Sequence, residues 1–218
     1  MLRSYALEGK RLSMFDARIR YLIDPPLNLI GRGVASVGIS ANAITLAGLI
    51  LGLGSAVAVA LGAFGAALVL LALGRFADGL DGAVARATTK TDFGGYLDIV
   101  CDFIFYGALP LGFVFYDPDT NGLAGAFLLM TFYANGASFL GFAVLAEKRK
   151  ISTTTQGEKT LYYSNGLLEG AETVLFFVAI CVWPAAFALL ATLFGLLCLV
   201  TAVLRVWAAY KIFHIERT

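Results

Sequence analysis

Long apolar runs constrain the fold of this chain more than any other feature of its sequence. A helix needs about 20 mostly apolar residues to cross a bilayer, and six segments of the chain meet that requirement. They cover approximately residues 42–61, 63–86, 94–116, 123–146, 163–183 and 185–210. Short polar or helix-breaking stretches separate them, at Gly62, over 88–91, over 117–122, over 147–160 and at Trp183-Pro184. We therefore expect an all-α, polytopic membrane bundle of six transmembrane helices embedded in the lipid bilayer.

The composition agrees with a membrane protein and excludes several other classes. Hydrophobic residues make up 59% and charged residues 14% of the 218 residues, whereas soluble domains have about 45–50% and 25%. A formal net charge of +1 gives no basis for binding nucleic acid. The three cysteines, Cys101, Cys181 and Cys198, lie inside apolar runs, where a cysteine is expected to be a small buried side chain.

Basic residues predict how the spans are oriented. In residues 1–24, Arg and Lys alternate with apolar side chains in the pattern of an amphipathic helix on the membrane surface, ended by Pro25-Pro26. With the six spans placed as above, all 16 Lys and Arg fall on one side of the membrane, which the positive-inside rule makes cytoplasmic. We expect a cytoplasmic amphipathic segment over 1–38, a six-helix membrane domain over 39–218, and both termini in the cytoplasm of an inner (plasma) membrane protein.

Small residues mark one face of the first span. Gly48 and Gly52 are four residues apart, and small residues at this spacing let helix backbones approach closely in lipid. Two explanations stay open, close packing within the bundle and a seam between two copies of the chain, and the first is favoured.

Four aspartates lie where an apolar bundle should hold no charge. Asp78 and Asp81 are three residues apart and share a helix face. Asp98 and Asp102 are four residues apart and share another. Only a short turn separates the two helices, so the two pairs are expected to face each other near the cytoplasmic surface. Carboxylates gathered in this way repel unless cations neutralise them, and oxygen-only ligands favour two Mg²⁺ or Mn²⁺ ions.

Phosphate-binding features accompany these carboxylates. Arg86 offers a bidentate donor for phosphate oxygens, and Gly82 and Gly94 let a ligand approach the helix backbones. Two metals with an arginine and exposed backbone predict a diphosphate site that serves in-line displacement at phosphorus. The alternative, a solvated helix-turn-helix with no ligand, agrees less well with carboxylates at membrane depth.

This acidic run resembles the signature of the CDP-alcohol phosphotransferase (CDP-alcohol phosphatidyltransferase) family, D-x2-D-G-x2-A-R followed by G-x3-D-x3-D. The matching positions are Asp78, Asp81, Gly82, Ala85, Arg86, Gly94, Asp98 and Asp102. The spacer between Arg86 and Gly94 has seven residues, one fewer than is usual in the family. The size, the six-helix architecture and the N-terminal surface helix are also similar.

The resemblance implies that CDP-diacylglycerol or a related CDP-alcohol gives its substituted phosphate to the hydroxyl of a small acceptor and releases CMP, in phospholipid biosynthesis. It implies that all four aspartates bind the metals and that Asp102 is the general base. It also implies a homodimer. The residues implied for the CDP moiety are Asn42, Thr45, Asp81, Gly82, Ala85, Arg86 and Gly94. For Asn42, a helix N-cap is an equally good interpretation.

The acceptor pocket is expected in the second half of the chain. The candidates are Lys159, Glu169, Glu172 and Arg205. Acids would suit a cationic or polyhydroxyl acceptor, and bases would suit a phosphorylated one, so the acceptor stays open. An alternative for Glu172 is an ion pair with Arg205 between the fifth and sixth spans. In the fourth span, Asn135 and Ser138 are expected to be interhelical hydrogen-bond partners.

The competing class is a membrane transporter or ion-binding channel that uses the intramembrane aspartates. Transporters of this kind usually contain inverted repeats and helices broken at the membrane midplane. The sequence has no visible internal repeat, and its acids cluster at one membrane face. The enzyme is therefore the favoured hypothesis.

Overall fold

The computed structural model describes residues 25–149 and 170–214, and within these ranges the chain forms helices and no strand. Helix α1 covers residues 25–36. The helices that follow are α2 (Ala41–Ala60), α3 (Phe64–Ala87), α4 (Asp92–Tyr116), α5 (Pro118–Lys148), α6 (Gly170–Val182) and α7 (Phe187–Phe213), with a 3-10 turn at Pro184–Ala186. The all-α prediction is confirmed.

Four stretches of the described residues are long and apolar enough to cross a membrane. They are Ala41–Ala60, Asp92–Tyr116, Pro118–Lys148 and Pro184–Phe213, which coincide with the first, third, fourth and sixth predicted spans. Large apolar side chains on these helices are exposed, among them Ile50, Phe115 and Val203, because lipid and not water is their solvent. The chain is a multi-pass membrane protein.

The other two predicted spans are also helical. Helix α3 occupies the place of the second, but its C-terminal half carries four charged side chains, from Arg75 to Arg86. Helix α6 has 13 described residues, and the start of the fifth predicted span lies outside the described ranges, as does the predicted surface helix over 1–24.

Two helix boundaries differ from the sequence predictions. Residues 25–36 form a helix that the sequence does not predict, because proline fits the first turn of a helix. The surface helix that Pro25-Pro26 is predicted to end lies outside the described residues. The stretch from Asp117 was expected to be a loop as far as residue 122, but α5 begins at Pro118. The Asp117 carboxylate caps α5 by accepting a hydrogen bond from the Thr120 backbone N–H at 3.1 Å.

The predicted break after the first span is confirmed at Gly62. This residue has φ +73°, a left-handed conformation that glycine adopts without a steric penalty. Its N–H donates to the Val59 carbonyl at 2.8 Å, and the Ala63 N–H donates to the Ala58 carbonyl at 2.8 Å. This pair of bonds satisfies the last carbonyls of α2 and ends it.

The described residues form two compact units. Unit 1 contains the described residues up to Ser55 together with Val69–Phe105. Unit 2 contains Ala56–Leu68 together with the described residues from Tyr106 onward. The four aspartates all belong to unit 1, so this unit positions the candidate site.

Small residues bring the helices of unit 1 close together. A Cβ atom placed on Gly48 would lie 3.3 Å from the Ala77 Cβ, and one on Gly52 would lie 2.6 Å from the Phe105 ring. A Cβ atom on Gly31 of α1 would lie 2.7 Å from the Ala83 Cβ of α3. The glycines of the first span therefore pack within the chain, as the favoured explanation predicts.

Aromatic rings fill the interior of unit 2. Phe113 of α4 stacks on Phe187 of α7 with ring centroids 4.5 Å apart. Phe176 of α6 stacks on Phe194 of α7 at 4.2 Å. Cys181 and Cys198 are buried in this unit and Cys101 is buried in unit 1, all three as free thiols, as predicted.

Candidate active site

Three of the four aspartates converge in unit 1. Asp78 of α3 and Asp98 and Asp102 of α4 each present one carboxylate oxygen, and these oxygens all lie within 4.8 Å of one another. The sequence prediction that the two pairs face each other is confirmed for these three. Carboxylate oxygens at this separation fit a hard divalent cation such as Mg²⁺ or Mn²⁺.

Two threonines form hydrogen bonds at the turn between α3 and α4, which carry the three aspartates. The Thr88 hydroxyl donates to the Val84 carbonyl at 2.8 Å at the end of α3. The Thr91 hydroxyl accepts from the Gly94 N–H at 3.0 Å and so caps the start of α4. The seven-residue spacer between Arg86 and Gly94 therefore contains the end of α3, the turn and the N-cap of α4.

Asp81 lies outside the group of three and is buried, with 7% of its surface exposed. Its Oδ2 accepts a hydrogen bond from the hydroxyl of Thr45 on α2. A second acceptor of this hydroxyl, the Ala41 carbonyl, lies at 3.1 Å. Thr45 therefore fixes the orientation of the Asp81 carboxylate. Both residues line one cavity with Gly48, Leu49, Arg75, Asp78, Cys101 and Asp102.

Arg75 is a member of the site that the sequence analysis missed. Its Nη1 atom donates to Asp102 Oδ1 at 3.0 Å and lies 3.6 Å from Asp78 Oδ2. In the sequence it counts only as a basic residue at the cytoplasmic side. The sequence feature that could have identified Arg75 is its position three residues before Asp78. This spacing puts both side chains on one face of α3.

Arg86 is exposed and is held by α1. Its Nε atom donates to Asn28 Oδ1 at 3.0 Å, and its Nη1 atom would lie 3.3 Å from a Cβ placed on Gly82. Arg86 does not line the cavity of the aspartates. Asn28 was not predicted as a site residue, because it lies in a helix that the sequence analysis did not find.

The remaining residues expected to bind the CDP moiety also belong to unit 1. A Cβ placed on Gly94 would lie 3.2 Å from Asn42 Oδ1, so Asn42 and Gly94 are neighbours, and Ala85 is half-buried on α3. The N-cap alternative for Asn42 is wrong. α2 begins at Ala41, and it is Ser40 whose hydroxyl accepts from the Ala43 N–H at 3.3 Å.

The described acceptor candidates lie in unit 2. Arg205 of α7 is 5% exposed, and its Nη1 atom donates to the backbone carbonyl and Oδ1 of Asn135 and to the Ser138 hydroxyl, at 2.8–3.0 Å. The prediction that Asn135 and Ser138 bond between helices is confirmed. Glu172 is half-buried in the first turn of α6. Lys159 and Glu169 lie outside the described residues.

Residues 38–210 match the CDP-alcohol phosphatidyltransferase family. The inner membrane protein YnjF of Escherichia coli is 45% identical over 90% of this chain and 96% of its own length. The archaetidylinositol phosphate synthase of Pyrococcus horikoshii is 32% identical over 77% of this chain and 90% of its own length.

Solved structures share the fold. The phosphatidylinositol phosphate synthase of Mycobacterium tuberculosis with CDP-DAG bound has a TM-score of 0.66 at 21% identity, covering 88% of this chain and 98% of that one. The same synthase in complex with manganese and citrate also gives 0.66 at 21% identity, with coverage of 88% and 93%.

Family membership decides between the two classes of protein that the sequence leaves open, an enzyme and a membrane transporter or channel. The match spans the helices that carry the aspartates, and it favours the enzyme over the transporter or channel. The chain belongs to the CDP-alcohol phosphatidyltransferase family and is a membrane enzyme that transfers a phosphatidyl group from a CDP-linked lipid to a hydroxyl.

Proposed function

We propose that this enzyme uses CDP-diacylglycerol or a closely related CDP-lipid as donor and a phosphorylated polyol, such as an inositol phosphate, as acceptor. The observation that carries the reaction class is the convergence of Asp78, Asp98 and Asp102 to within 4.8 Å. The acceptor assignment rests on the buried Arg205 described above and on the relative named as an archaetidylinositol phosphate synthase.

The four aspartates hold two divalent ions in this proposal. Asp78, Asp98 and Asp102 supply the converging oxygens, and Asp81 completes the set with Thr45 fixing its carboxylate. When bound, the ions neutralise the donor diphosphate and make its phosphorus more electrophilic. The chain's own contribution is to hold oxygen ligands in place on two helices joined by a short turn.

Asp102 is the proposed general base. It is part of the same cavity as the other aspartates, and one of its oxygens, Oδ1, is occupied by Arg75. Oδ2 is then the atom that takes the proton of the acceptor hydroxyl as the hydroxyl oxygen attacks phosphorus, and Oδ1 keeps a second lone pair for a metal ion. The bond from phosphorus to the CMP oxygen breaks, and CMP leaves.

The CDP moiety is proposed to lie along the faces of α2, α3 and α4 that carry the remaining signature residues. Gly82, Ala85 and Gly94 offer small surfaces for close approach. Arg86 has its Nε bound to Asn28, which leaves the two Nη groups of the fork to meet phosphate oxygens. Asn42, beside Gly94, supplies an amide for the same ligand.

Arg205 is the proposed phosphate anchor for the acceptor. Its Nη1 group donates hydrogen bonds to three oxygens of Asn135 and Ser138. These bonds fix the orientation of the planar guanidinium. A pre-oriented guanidinium suits bidentate recognition of a phosphate. Lys159, Glu169 and Glu172 are kept as further candidates for the acceptor pocket.

The membrane arrangement completes the proposal. We infer six spans with both termini in the cytoplasm of the inner membrane, an amphipathic segment over 1–38 and a membrane domain over 39–218, and a homodimer. The basic residues all on one predicted side support the orientation, and the relative named as an inner membrane protein supports the location.

The base assignment is tested with the Asp102→Asn variant. We expect kcat to fall by about 10²–10⁴, while calorimetric titration with CDP-diacylglycerol in Mn²⁺ shows near-normal binding. Loss of binding would make Asp102 chiefly a metal ligand, and unchanged turnover would remove it from the mechanism.

The acceptor is tested with a panel of hydroxyl compounds offered to the purified enzyme in nanodiscs. Inositol phosphate and glycerol phosphate are compared with unphosphorylated inositol and serine, with CMP release as the readout. We expect CMP release only with a phosphorylated acceptor, and a KM for it that rises at least about tenfold in Arg205→Lys. Turnover with inositol or serine alone would contradict the proposal.

The homodimer is tested by chemical crosslinking in native membranes. A dimer band at physiological expression is the expected result. Recovery of monomer alone would contradict it.

A further inference from the structure

Arg75 contacts two of the aspartates but is not one of the signature positions. It lies on α3 one turn before Asp78, and its side chain is only 18% exposed. Its side chain lines the cavity together with Asp78, Asp81 and Asp102. A basic residue in this place needs an explanation that the family signature does not provide.

The contacts of Arg75 are directional. Its Nη1 atom donates a hydrogen bond to Oδ1 of Asp102 at 3.0 Å, and the same atom is 3.6 Å from Oδ2 of Asp78. The guanidinium carbon lies 4.5 Å from the ring centroid of Phe105, and Phe105 is 1% exposed. A buried ring under the guanidinium fixes its plane, so the direction of the hydrogen bond to Asp102 is fixed as well.

A fixed donor has two consequences for the carboxylates. Because it donates to one lone pair of Asp102 Oδ1, it holds the rotation of that carboxylate and so fixes the direction in which Oδ2 receives a proton. Because it carries a positive charge beside Asp78 and Asp102, it also offsets part of their repulsion and competes with a metal ion for their oxygens.

We propose that Arg75 is a positioning residue that orients Asp102 for proton abstraction and that its positive charge weakens metal binding to the aspartates. This inference rests on the proposed role of Asp102 as general base. It predicts an unusual combination, in which removing Arg75 lowers turnover and tightens metal binding together. Damage to the fold would instead lower both the turnover and the affinity for the metal.

The test compares Arg75→Gln with the wild-type enzyme in nanodiscs. We expect kcat to fall about 10- to 100-fold, with the KM for CDP-diacylglycerol changed less than about threefold, since Arg75 acts through Asp102. The Kd for Mn²⁺, measured by electron paramagnetic resonance without lipid substrate, is expected to fall at least about threefold. A wild-type kcat, or a Kd for Mn²⁺ that rises, would overturn the proposal.

Arg149→Gln is the matched control. Arg149 also lies over a phenylalanine, at 5.5 Å from the Phe213 ring centroid, and it donates to the Phe213 carbonyl, but it contacts no aspartate of the cluster among the described contacts. We expect its kcat and Mn²⁺ affinity to stay within about twofold of wild type.

Arg75→Lys tests orientation apart from charge and serves if Arg75→Gln does not fold. Lysine keeps the charge but has no planar fork to lie on Phe105. We expect Mn²⁺ affinity within about twofold of wild type and kcat at least about fivefold lower. A lysine variant with wild-type kcat would overturn the orienting role, because charge would then be sufficient.

A double-mutant cycle separates this inference from the proposed function. In an Asp102→Asn background, Arg75→Gln should lower kcat no further, because the group that it orients is gone. An additional full loss would overturn the proposal for Arg75 alone. Wild-type turnover by Asp102→Asn would refute the base assignment and with it the orienting role, whatever Arg75→Gln does.

Discussion

The hydrogen bond from Thr45 to Asp81 offers a sharp test of how the site is held. Thr45→Val keeps the shape of the side chain and removes the hydroxyl that donates to Asp81 Oδ2. Both residues are buried, at 8% and 7% exposed, so water does not replace the lost donor. A hydrogen bond to a charged group contributes about 1.5–3 kcal/mol.

This energy sets the expected loss of activity. If the bond orients Asp81 for metal and donor, its removal should lower kcat/KM for CDP-diacylglycerol about 10- to 100-fold, since each 1.36 kcal/mol is a factor of ten. Thr45→Ser retains the hydroxyl and should keep activity within about threefold of wild type. The assay is Mn²⁺-dependent release of CMP by enzyme in nanodiscs.

Thr201→Val is the control for the loss of a buried threonine hydroxyl. Thr201 is 1% exposed and donates to the Leu197 carbonyl at 2.9 Å, the same four-residue backbone bond that is available to Thr45, but it belongs to unit 2 and touches no carboxylate in its described hydrogen bonds. Full activity of Thr45→Val, or an equal loss in Thr201→Val, would show that the hydrogen bond from Thr45 to Asp81 does not hold the site.

Three further predictions concern the metals and the packing of α1. Asp78→Asn should abolish turnover and leave a folded, extractable protein, because one ligand is lost and the repulsion among the carboxylates falls; turnover at ordinary Mg²⁺ would contradict the two-metal proposal. Mn²⁺ at 100 times its Kd should stabilise the wild-type enzyme by about 2.7 kcal/mol, seen as a higher Tm that EDTA reverses, and Asp78→Asn should show much less of this shift. Gly31→Val should destabilise the protein by about 1–3 kcal/mol, because its Cβ would lie 2.7 Å from the Ala83 Cβ. Gly33→Val should have little effect, because a Cβ there meets nothing within 4 Å. Equal Tm values for the two variants would contradict this packing.

The helices and the aspartates were predictable because each depends on local sequence. Apolar runs give helices at the expected places, and the spacing of Asp78, Asp98 and Asp102 along two neighbouring helices is enough to bring them together. The break predicted at Gly62 is confirmed, because glycine readily adopts the left-handed conformation that ends a helix.

The boundaries were less predictable where one residue type has two uses. Proline and aspartate occur in turns and also at helix starts, so Asp117 and Pro118 were assigned to a loop when they begin α5. For the same reason the helix over residues 25–36 is not predicted from the sequence. The N-cap was one of two equally good interpretations of Asn42, and Ser40 provides the cap of α2 instead.

Contacts between distant residues could not be derived from the sequence. Arg75 reaches Asp102 across 27 positions, and Arg86 reaches Asn28 across 58. Charge counting placed both arginines on the cytoplasmic side but did not identify their partners. Such pairs depend on how helices cross, which glycines such as Gly31 and Gly48 decide through packing.

The most direct test of this account is CMP release from CDP-diacylglycerol by the purified protein in nanodiscs, with Mn²⁺ or Mg²⁺ and a phosphorylated polyol. We expect release that needs the metal and the acceptor, that stops with EDTA, and that is lost in Asp78→Asn and Asp102→Asn. Metal-dependent ion flux through the membrane without CMP release, or CMP release that persists in both variants, would contradict it.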